Sequence, residues 1–384
     1  MTRYGIDQVA RSNKYDLLFK GRRIGLITNP TGLDSSFCST IDLMHERYGV
    51  TALFAPEHGV RGNIGAGVFV EDTVDNATGI PVYSLYRKGS KRLTKEMLSH
   101  VDIIVYDIQD VGSRYYTYLY TMLYAMESCA EAGIPFIVLD RPNPLGGTIV
   151  EGNIVQPDYL SFVGGYPLCM RYGLTVGEFA AMANETLALG AKLNVITCDG
   201  WKRSMLWTDT HLPWIMPSPN LPRFESALLY SGTCLFEGTN LSEGRGTAAP
   251  FEVIGAPYIN DPAALATAMN KKNLPSVRFR PLYFTPTASK YQGTMCGGVQ
   301  IHIMDVPSIE PVRTALSLLY EVQSRWAGDF EWCTPLPPAT RPHIELLGGD
   351  GQLTSHTPLE VLLESYQRDA EAFAAKKQAY HLYE

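Results

Sequence analysis

The sequence predicts an α/β fold in which a Rossmann-like, doubly wound and mostly parallel sheet is followed by a second, smaller α+β domain. Two observations predict it. Apolar runs rich in Ile, Val and Leu alternate with helical segments through the first 140 residues, which is the rhythm of βαβ units. Beyond residue 248 the order of strands and helices changes. We therefore predict a Rossmann-like domain over 1–248 and a smaller domain over 249–384 that closes a cleft.

The strands of the first domain are continuous apolar runs, as expected for strands that are buried on both faces of a sheet. They lie at 24–28, 51–55, 81–85, 101–107, 135–140 and 193–198. The segments between them have apolar residues at helical spacing. These helices lie at 37–48, 91–99, 116–132, 176–190 and 224–230. Strands joined by helices pair in parallel.

The second domain combines two strand-like runs with three helical segments. The runs lie at 276–284 and 298–304, and the helices lie at 262–271, 310–325 and 358–377. This order is typical of an α+β unit. Hydrophobic residues make up 45% of the chain and charged residues 18%, so there is enough apolar material for a large core.

Composition argues against several classes of partner. A formal net charge of -7 argues against nucleic acid. No window approaches the ~20 apolar residues of a membrane span, so a membrane is not expected.

The first residues lack the apolar core of a signal peptide, so we expect a cytoplasmic protein, or an exported one if a leader was removed. The seven scattered Cys contain no CxxC pair, which disfavours zinc and disulfides. The oligomeric state stays open.

Polar residues follow four of the predicted strands, at the edge where doubly wound sheets bind ligands. They are Asn29 after the first strand, Glu57 and His58 after the second, Asp107 and Asp110 at the end of the fourth, and Asp140 and Arg141 after the fifth. Because the ends of parallel strands share one edge, we predict a single site there.

The turn after the second strand presents Glu57 and His58. Pro56 ends the strand and Gly59 permits a tight turn. A glutamate in this position is a candidate general acid if its surroundings raise its pKa. The alternative is that Glu57 caps the next helix or pairs with Arg61.

Two further turns carry candidate side chains. Asp107 and Asp110 are close enough in sequence to share a proton or flank a scissile bond, but Asp110 is alternatively a helix cap. Asp140 and Arg141 either pair with each other or contribute to the site. Asn143 either binds a substrate oxygen together with Arg141 or holds a proline-rich turn.

The segment 236–250, FEGTNLSEGRGTAAP, is dense in functional groups. It contains Glu237, Asn240, Glu243 and Arg245 among three glycines. A long ordered loop of this kind is more often a site than a linker, and the alternative is a polar surface loop. We expect it to close over the strand ends.

Three residues elsewhere are also candidates. Asn220 lies between prolines and is either an amide ligand for a sugar or a turn residue. Lys290 and Tyr291 belong to the second domain, where they either reach over the cleft or face solvent.

Standard cofactor and nucleophile motifs are absent. The turn after the first strand is TNPTG and not GxGxxG, so no dinucleotide cofactor is expected. There is no Walker A motif, and no HExxH or clustered His-Cys set implies a metal, although a carboxylate-bound Mg²⁺ stays open. GxSxG is also absent, so an esterase or amidase would need Ser113 or Ser242 with His58 as partner.

Five segments together resemble the exo-β-N-acetylmuramidase (NamZ-like) family of glycoside hydrolases. They are GLITNPTG, LFAPEHGVRG, DIQDVGSRYYTY, DRPNPLGG and LFEGTNLSEGRGTAAPFEVIGAP. The resemblance covers nearly the whole chain. It implies two domains with a cleft between them, a small amino-sugar or muropeptide substrate, and release of N-acetylmuramic acid from the non-reducing end of peptidoglycan fragments.

For the catalytic groups, the resemblance implies Glu57 as the acid or base. It implies a second carboxylate from Glu243, Asp110 or Glu237, acting as nucleophile, base or orienting group. The alternative nucleophile is the acetamido group of the substrate.

For binding, the resemblance implies that Arg245, Arg141 or Arg114 holds the lactyl carboxylate of muramic acid. A non-catalytic peptidoglycan- or amino-sugar-binding protein is the alternative function, but the excess of carboxylates at the strand ends favours an enzyme. The other predicted substrate-binding residues are Asn29, His58, Arg61, Asp107, Asp140, Asn143, Asn220, Glu237 and Asn240.

Overall fold

Two sheets organise the chain, and the fold class expected from the sequence is confirmed. The computed structural model describes residues 2–62, 72–87, 91–335 and 340–384. The larger sheet has seven strands and the smaller has three. The larger sheet belongs to the first part of the chain, and the smaller sheet begins after residue 250.

Six of the seven strands of the larger sheet follow the predicted apolar runs, and the two-residue strand Thr73–Val74 was not predicted. The seven strands are β1 (Ile24–Thr28), β2 (Val50–Ala55), β3 (Thr73–Val74), β4 (Pro81–Ser84), β5 (Ile103–Asp107), β6 (Phe136–Leu139) and β7 (Leu193–Ile196). Their order is β3-β4-β2-β1-β5-β6-β7. Every neighbouring pair is parallel except β3 with β4. The ends of β2, β1, β5 and β6 therefore lie side by side.

Helices connect these strands and continue into the second part of the chain. They are α1 (Gly5–Arg11), α2 (Asp16–Phe19), α3 (Thr40–Tyr48), α4 (Lys95–Ser99), α5 (Tyr118–Ala132), α6 (Val176–Thr186), α7 (Trp207–Thr210), α8 (Phe224–Thr233), α9 (Pro262–Lys271), α10 (Pro311–Arg325), α11 (His343–Gly348) and α12 (Leu359–Lys377).

Capping side chains explain why two helices begin later than their apolar pattern suggests. The Ser39 hydroxyl accepts a hydrogen bond from the backbone at the start of α3, and Thr94 does the same for α4. Thr175 and Glu178 form a capping box at the start of α6. Each cap satisfies backbone N–H groups that have no partner within the helix.

The smaller sheet contains one strand that the sequence did not predict. Its strands are β8 (Val253–Ala256), β9 (Val277–Phe284) and β10 (Cys296–Ile303), in the antiparallel order β8-β10-β9. β8 is missed because it has four residues and follows a Gly- and Pro-rich loop. The domain boundary at residue 248 stays a prediction.

A buried ion pair joins the carboxyl ends of β5 and β6. Arg141 Nε lies 2.6 Å from Asp107 Oδ1, and the two side chains are 1% and 0% exposed. Thr40 Oγ1 donates to Asp107 Oδ2, and Arg141 Nη2 donates to the Leu33 carbonyl at 2.8 Å. The Arg141 guanidinium also lies 4.3 Å from the centre of the Tyr4 ring. The pair therefore joins several loops at the carboxyl edge of the sheet.

We predict that Arg141→Met destabilises the protein by about 3–5 kcal/mol, because it leaves the Asp107 carboxylate buried without a counter-charge. The measurement is urea unfolding followed by circular dichroism. Arg23→Met is the matched control, since Arg23 pairs with Asp102 at the surface, where the side chains are 52% and 43% exposed, and such pairs contribute little. Equal unfolding midpoints for the two variants would contradict the role of the buried pair.

Candidate active site

The ends of β1 and β5 are joined by side-chain hydrogen bonds. Thr28 Oγ1 donates to the Asp107 carbonyl at 2.9 Å, and the backbone N–H of Gln109 donates to Thr31 Oγ1 at 2.9 Å. Asn29 is buried, and its Oδ1 accepts from the Thr31 backbone at 2.9 Å. Asn29 Nδ2 has no hydrogen-bond partner among the described residues. The Asn29 amide is thus a buried polar group at the sheet edge, next to the Tyr118 hydroxyl.

Glu57 lies next to this edge, in a tight turn after β2. The Gly59 backbone N–H donates to the Pro56 carbonyl at 3.1 Å, and His58 is buried with a left-handed φ of 73°. Thr117 Oγ1 donates to Glu57 Oε2 at 3.2 Å. The turn presents a half-buried Glu57 side chain, and Thr117 orients its carboxyl group.

Three tyrosines connect Glu57 with the 236–250 loop. The Tyr118 hydroxyl lies 3.3 Å from the Glu57 carbonyl. The Tyr116 ring makes edge contacts with Tyr118 at 4.9 Å and with Tyr230 at 6.1 Å. Burial raises the pKa of Tyr116 and of Tyr230 well above the usual value, and the charges of Glu57 and Glu237, respectively, add to the rise. The three tyrosines therefore form a row of rings that begins beside Glu57 and ends at Tyr230, which lies within the field of Glu237.

The loop itself is an ion-pair cluster and not a free polar surface. Glu243 lies between two cations, with Arg245 Nε 3.1 Å from Oε1 and Lys290 Nζ 3.0 Å from Oε2. Its side chain is 3% exposed, whereas that of Glu237 is 24% exposed. Glu237 Oε1 lies 2.5 Å from Arg245 Nη2. Of the two glutamates, Glu237 is the one open to a ligand.

Asp110 is buried and does not cap a helix. Its Oδ1 accepts hydrogen bonds from the Tyr172 hydroxyl and, at 2.8 Å, from the Gly112 backbone. Its Oδ2 has no hydrogen-bond partner among the described residues. Burial raises the pKa of Asp110 to about 7. A large fraction of this carboxyl group is therefore protonated near neutral pH, which weakens it as a nucleophile.

Two arginines that the sequence offered as carboxylate ligands have structural roles instead. Arg141 is occupied by its buried pair with Asp107. Arg114 is fully buried and donates to four backbone carbonyls. These belong to Asn153 at 2.6 Å, Leu168 at 3.1 Å, Leu347 at 2.8 Å and Gly348 at 2.6 Å. Both guanidinium groups are thus taken up by contacts within the fold.

Asp140 and Asn143 are likewise used by the fold. Asp140 accepts from Thr175 Oγ1 at 2.7 Å and from the Gly177 backbone at 2.8 Å, at the start of α6. Burial raises the pKa of Asp140 to about 6. Asn143 Nδ2 donates to the Leu174 carbonyl at 2.8 Å. The turn function that the sequence left open for Asn143 is the one observed.

The remaining polar candidates differ in their availability. Asn240 donates to the Asp329 carbonyl at 2.7 Å and accepts from Tyr258. Arg61 pairs with Asp75 at 2.8 Å and Asp42 at 3.0 Å. Both are occupied by these contacts.

Asn220 is half-buried in the segment that borders Glu57, since the Tyr118 hydroxyl also lies 3.1 Å from the Pro217 carbonyl. It stays a candidate for substrate binding.

Reasoning from the sequence missed the tyrosines that join the two carboxylates. Tyr116 and Tyr118 belong to the run YYTY at 115–118, which was a visible signal. Tyr230 lies in α8, more than a hundred residues later in the chain, and no local pattern connects it with them.

No metal-binding group was found in the described part of the chain, where no three His, Cys, Asp or Glu side chains are placed to hold an ion together. Among the same residues, no helix has the length and apolar character needed to cross a membrane. The seven cysteines are free thiols.

Known proteins resemble this chain over its whole length. Residues 24–225 match the family profile Exo-beta-N-acetylmuramidase NamZ, N-terminal, and residues 228–383 match its C-terminal counterpart. The Bacillus subtilis (strain 168) peptidoglycan beta-N-acetylmuramidase NamZ is 46% identical over 99% of this chain and 91% of its own length. Two DUF1343 family structures from Bacteroides fragilis cover 100% of this chain and 99% of their own, with TM-scores of 0.90 and 0.78 at 36% and 30% identity.

Asp110 makes stability depend on pH in a testable way. Its pKa is about 7 in the folded protein, against an ordinary value of 3.8. The protonated form therefore stabilises the fold, fully below about pH 4, and this contribution is lost as the pH rises to about 7. We predict that the wild type loses stability relative to Asp110→Asn over this range, by at most about 1.4 kcal/mol per pH unit.

The measurement is thermal unfolding of both proteins at several pH values. Asp158→Asn, at an exposed position, is the control and should follow the wild type. Parallel curves for the wild type and Asp110→Asn would show that Asp110 has no raised pKa.

Proposed function

The chain belongs to the exo-β-N-acetylmuramidase NamZ family, and on that premise we propose that it is a glycosidase. Its reaction releases N-acetylmuramic acid from the non-reducing end of peptidoglycan fragments. One observation carries the proposal most directly. A turn at a strand end presents Glu57 beside buried tyrosines, and the last of these, Tyr230, lies within the field of a second, partly exposed carboxylate, Glu237.

Glu57 acts as the general acid. It transfers its proton to the glycosidic oxygen as the bond from that oxygen to the anomeric carbon breaks, and water completes the hydrolysis. Thr117 donates to Glu57 Oε2 at 3.2 Å, which fixes the orientation of the carboxyl group. Fixed orientation matters because proton transfer requires the acid to lie within hydrogen-bond reach of the leaving oxygen.

The tyrosines and Asn29 supply neutral contacts for the sugar. Because burial raises the pKa of Tyr116 well above its usual value, its hydroxyl stays protonated and can donate a hydrogen bond. That hydroxyl and Asn29 Nδ2 are both buried next to the Tyr118 hydroxyl. The Tyr118 hydroxyl contacts the Glu57 carbonyl, so the three groups form a neutral polar cluster behind Glu57 for the hydroxyl or acetamido oxygens of a sugar.

Glu237 is the better second carboxylate of the three that the sequence offered. Glu243 is held by two cations and is almost fully buried. Burial raises the pKa of Asp110 to about 7, so much of it is uncharged. Glu237 has one ion-pair partner, Arg245, and is partly exposed. We assign it the role of base or of orienting group for the acetamido nucleophile.

We predict that Glu57→Gln lowers kcat by about 100- to 10,000-fold on a muramic acid glycoside with a sugar leaving group, because an amide cannot supply the proton. The loss should be much smaller for a 4-nitrophenyl glycoside, because nitrophenolate leaves without protonation. Steady-state rates on both substrates provide the measurement. Glu46→Gln, at an exposed position in α3, is the control. Equal losses on the two substrates would exclude general-acid catalysis by Glu57.

We predict a separate effect for Glu237→Gln. This change should lower kcat at least about 100-fold, with little change in melting temperature because its ion pair is partly exposed. Glu243→Gln should instead lower the melting temperature, because it leaves Lys290 without its carboxylate partner. Thermal unfolding and kcat for both variants test the assignment. If Glu237→Gln retained the wild-type kcat, the second carboxylate would have to be another residue.

A further inference from the structure

The rim of the site near Glu57 carries a lysine ammonium held over aromatic rings. Lys91 Nζ lies 4.4 Å from the centre of the Tyr86 ring and 4.3 Å from that of Phe162. Phe162 in turn stacks on Tyr124 at 6.2 Å with an interplanar angle of 17°. These rings hold the ammonium in one place.

Among the described residues, the Lys91 ammonium has no anionic partner. Within the residues that the structure describes, no carboxylate lies at ion-pair distance from it and no oxygen accepts a hydrogen bond from it. Its three donors are thus available, although the side chain is half-buried. Cation–π contacts replace only part of the lost hydration, so this position favours the binding of an anion.

The charge of Glu57 acts on Lys91 and on Tyr86. Burial lowers the pKa of Lys91, and the charge of Glu57 opposes that shift. Burial and, secondarily, the same Glu57 charge raise the pKa of Tyr86 to about 12. Both side chains therefore lie within the field of the proposed acid, yet Lys91 forms no ion pair with it.

The five arginine and lysine side chains discussed above all have partners within the fold. Arg245 and Lys290 are matched by Glu237 and Glu243. Arg61 is paired with two aspartates. Arg114 and Arg141 are buried within the fold. None of these five is as available to a substrate anion as Lys91.

We infer that Lys91 binds the carboxylate of the lactyl ether of the substrate and so distinguishes muramic acid from N-acetylglucosamine. This inference rests on the proposed function. The two sugars differ only in the lactyl group on O3, which is attached two ring carbons away from the anomeric carbon. Helix α5 connects the two groups, because its N-cap Thr117 contacts Glu57 and its Tyr124 stacks on Phe162, over which Lys91 lies. With Glu57 at the anomeric carbon, Lys91 is thus a cation near the acid but apart from it. The aromatic rings exclude water, which strengthens the ion pair.

The test compares three 4-nitrophenyl glycosides, those of N-acetylmuramic acid, of its lactyl methyl ester and of N-acetylglucosamine. The wild type should prefer the acid. Lys91→Met should lose about 10- to 100-fold in kcat/KM on the acid, mainly through KM, because a hydrogen-bonded charge partner is removed. Its rates on the ester and on the glucosaminide should not change, and Lys91→Arg should retain part of the preference.

The matched control is Lys95→Met, at an exposed position in α4, which should behave as the wild type. An unchanged preference for acid over ester in Lys91→Met would overturn the inference. Calorimetric binding of free N-acetylmuramic acid to both proteins gives the same comparison without turnover. Failure of the wild type to hydrolyse any of the glycosides would overturn the proposed function, whereas equal affinity of the two proteins for the free sugar would overturn the role of Lys91.

Discussion

The carboxyl edge of the large sheet depends on one buried ion pair, Asp107 with Arg141. A charge can be buried only when it is paired and hydrogen-bonded, so this contact decides which strand-end charges belong to the fold. Asp140 satisfies a similar requirement through the start of α6, and Arg114 through backbone carbonyls. Glu57 is different because its turn leaves the side chain partly open. The proposed site therefore centres on the strand-end carboxylate whose side chain is partly exposed, Glu57.

The same requirement explains what could be predicted from the sequence. Parallel strands buried on both faces have continuous apolar runs, and β1 (Ile24–Thr28) has the boundaries that this pattern predicts. The position of Glu57 at a strand end follows from the same reasoning. The pairing of Asp107 with Arg141 does not, because it joins side chains from two strand ends. Local patterns place residues on elements, but they do not show which charges neutralise one another across the sheet.

The 236–250 loop and the aromatic rim differ in how their charges are balanced. In the loop, Glu237 and Glu243 are matched by Arg245 and Lys290, so the cluster is neutral as a whole and holds the loop together. At the rim, Lys91 has aromatic rings as neighbours and no anion at ion-pair distance among the described residues. An anionic sugar would complete the rim, whereas it would have to break existing pairs in the loop.

A crystal structure with N-acetylmuramic acid bound tests the account most directly. With Glu57 as the general acid, the anomeric oxygen should lie within about 3 Å of the Glu57 carboxyl group, the distance that proton transfer requires, with the sugar beside Tyr116. A sugar bound with its anomeric oxygen against Glu243 would contradict the account. So would a sugar bound in the open groove beside α10 and α12, which several glutamates line, among them Glu310, Glu360 and Glu364.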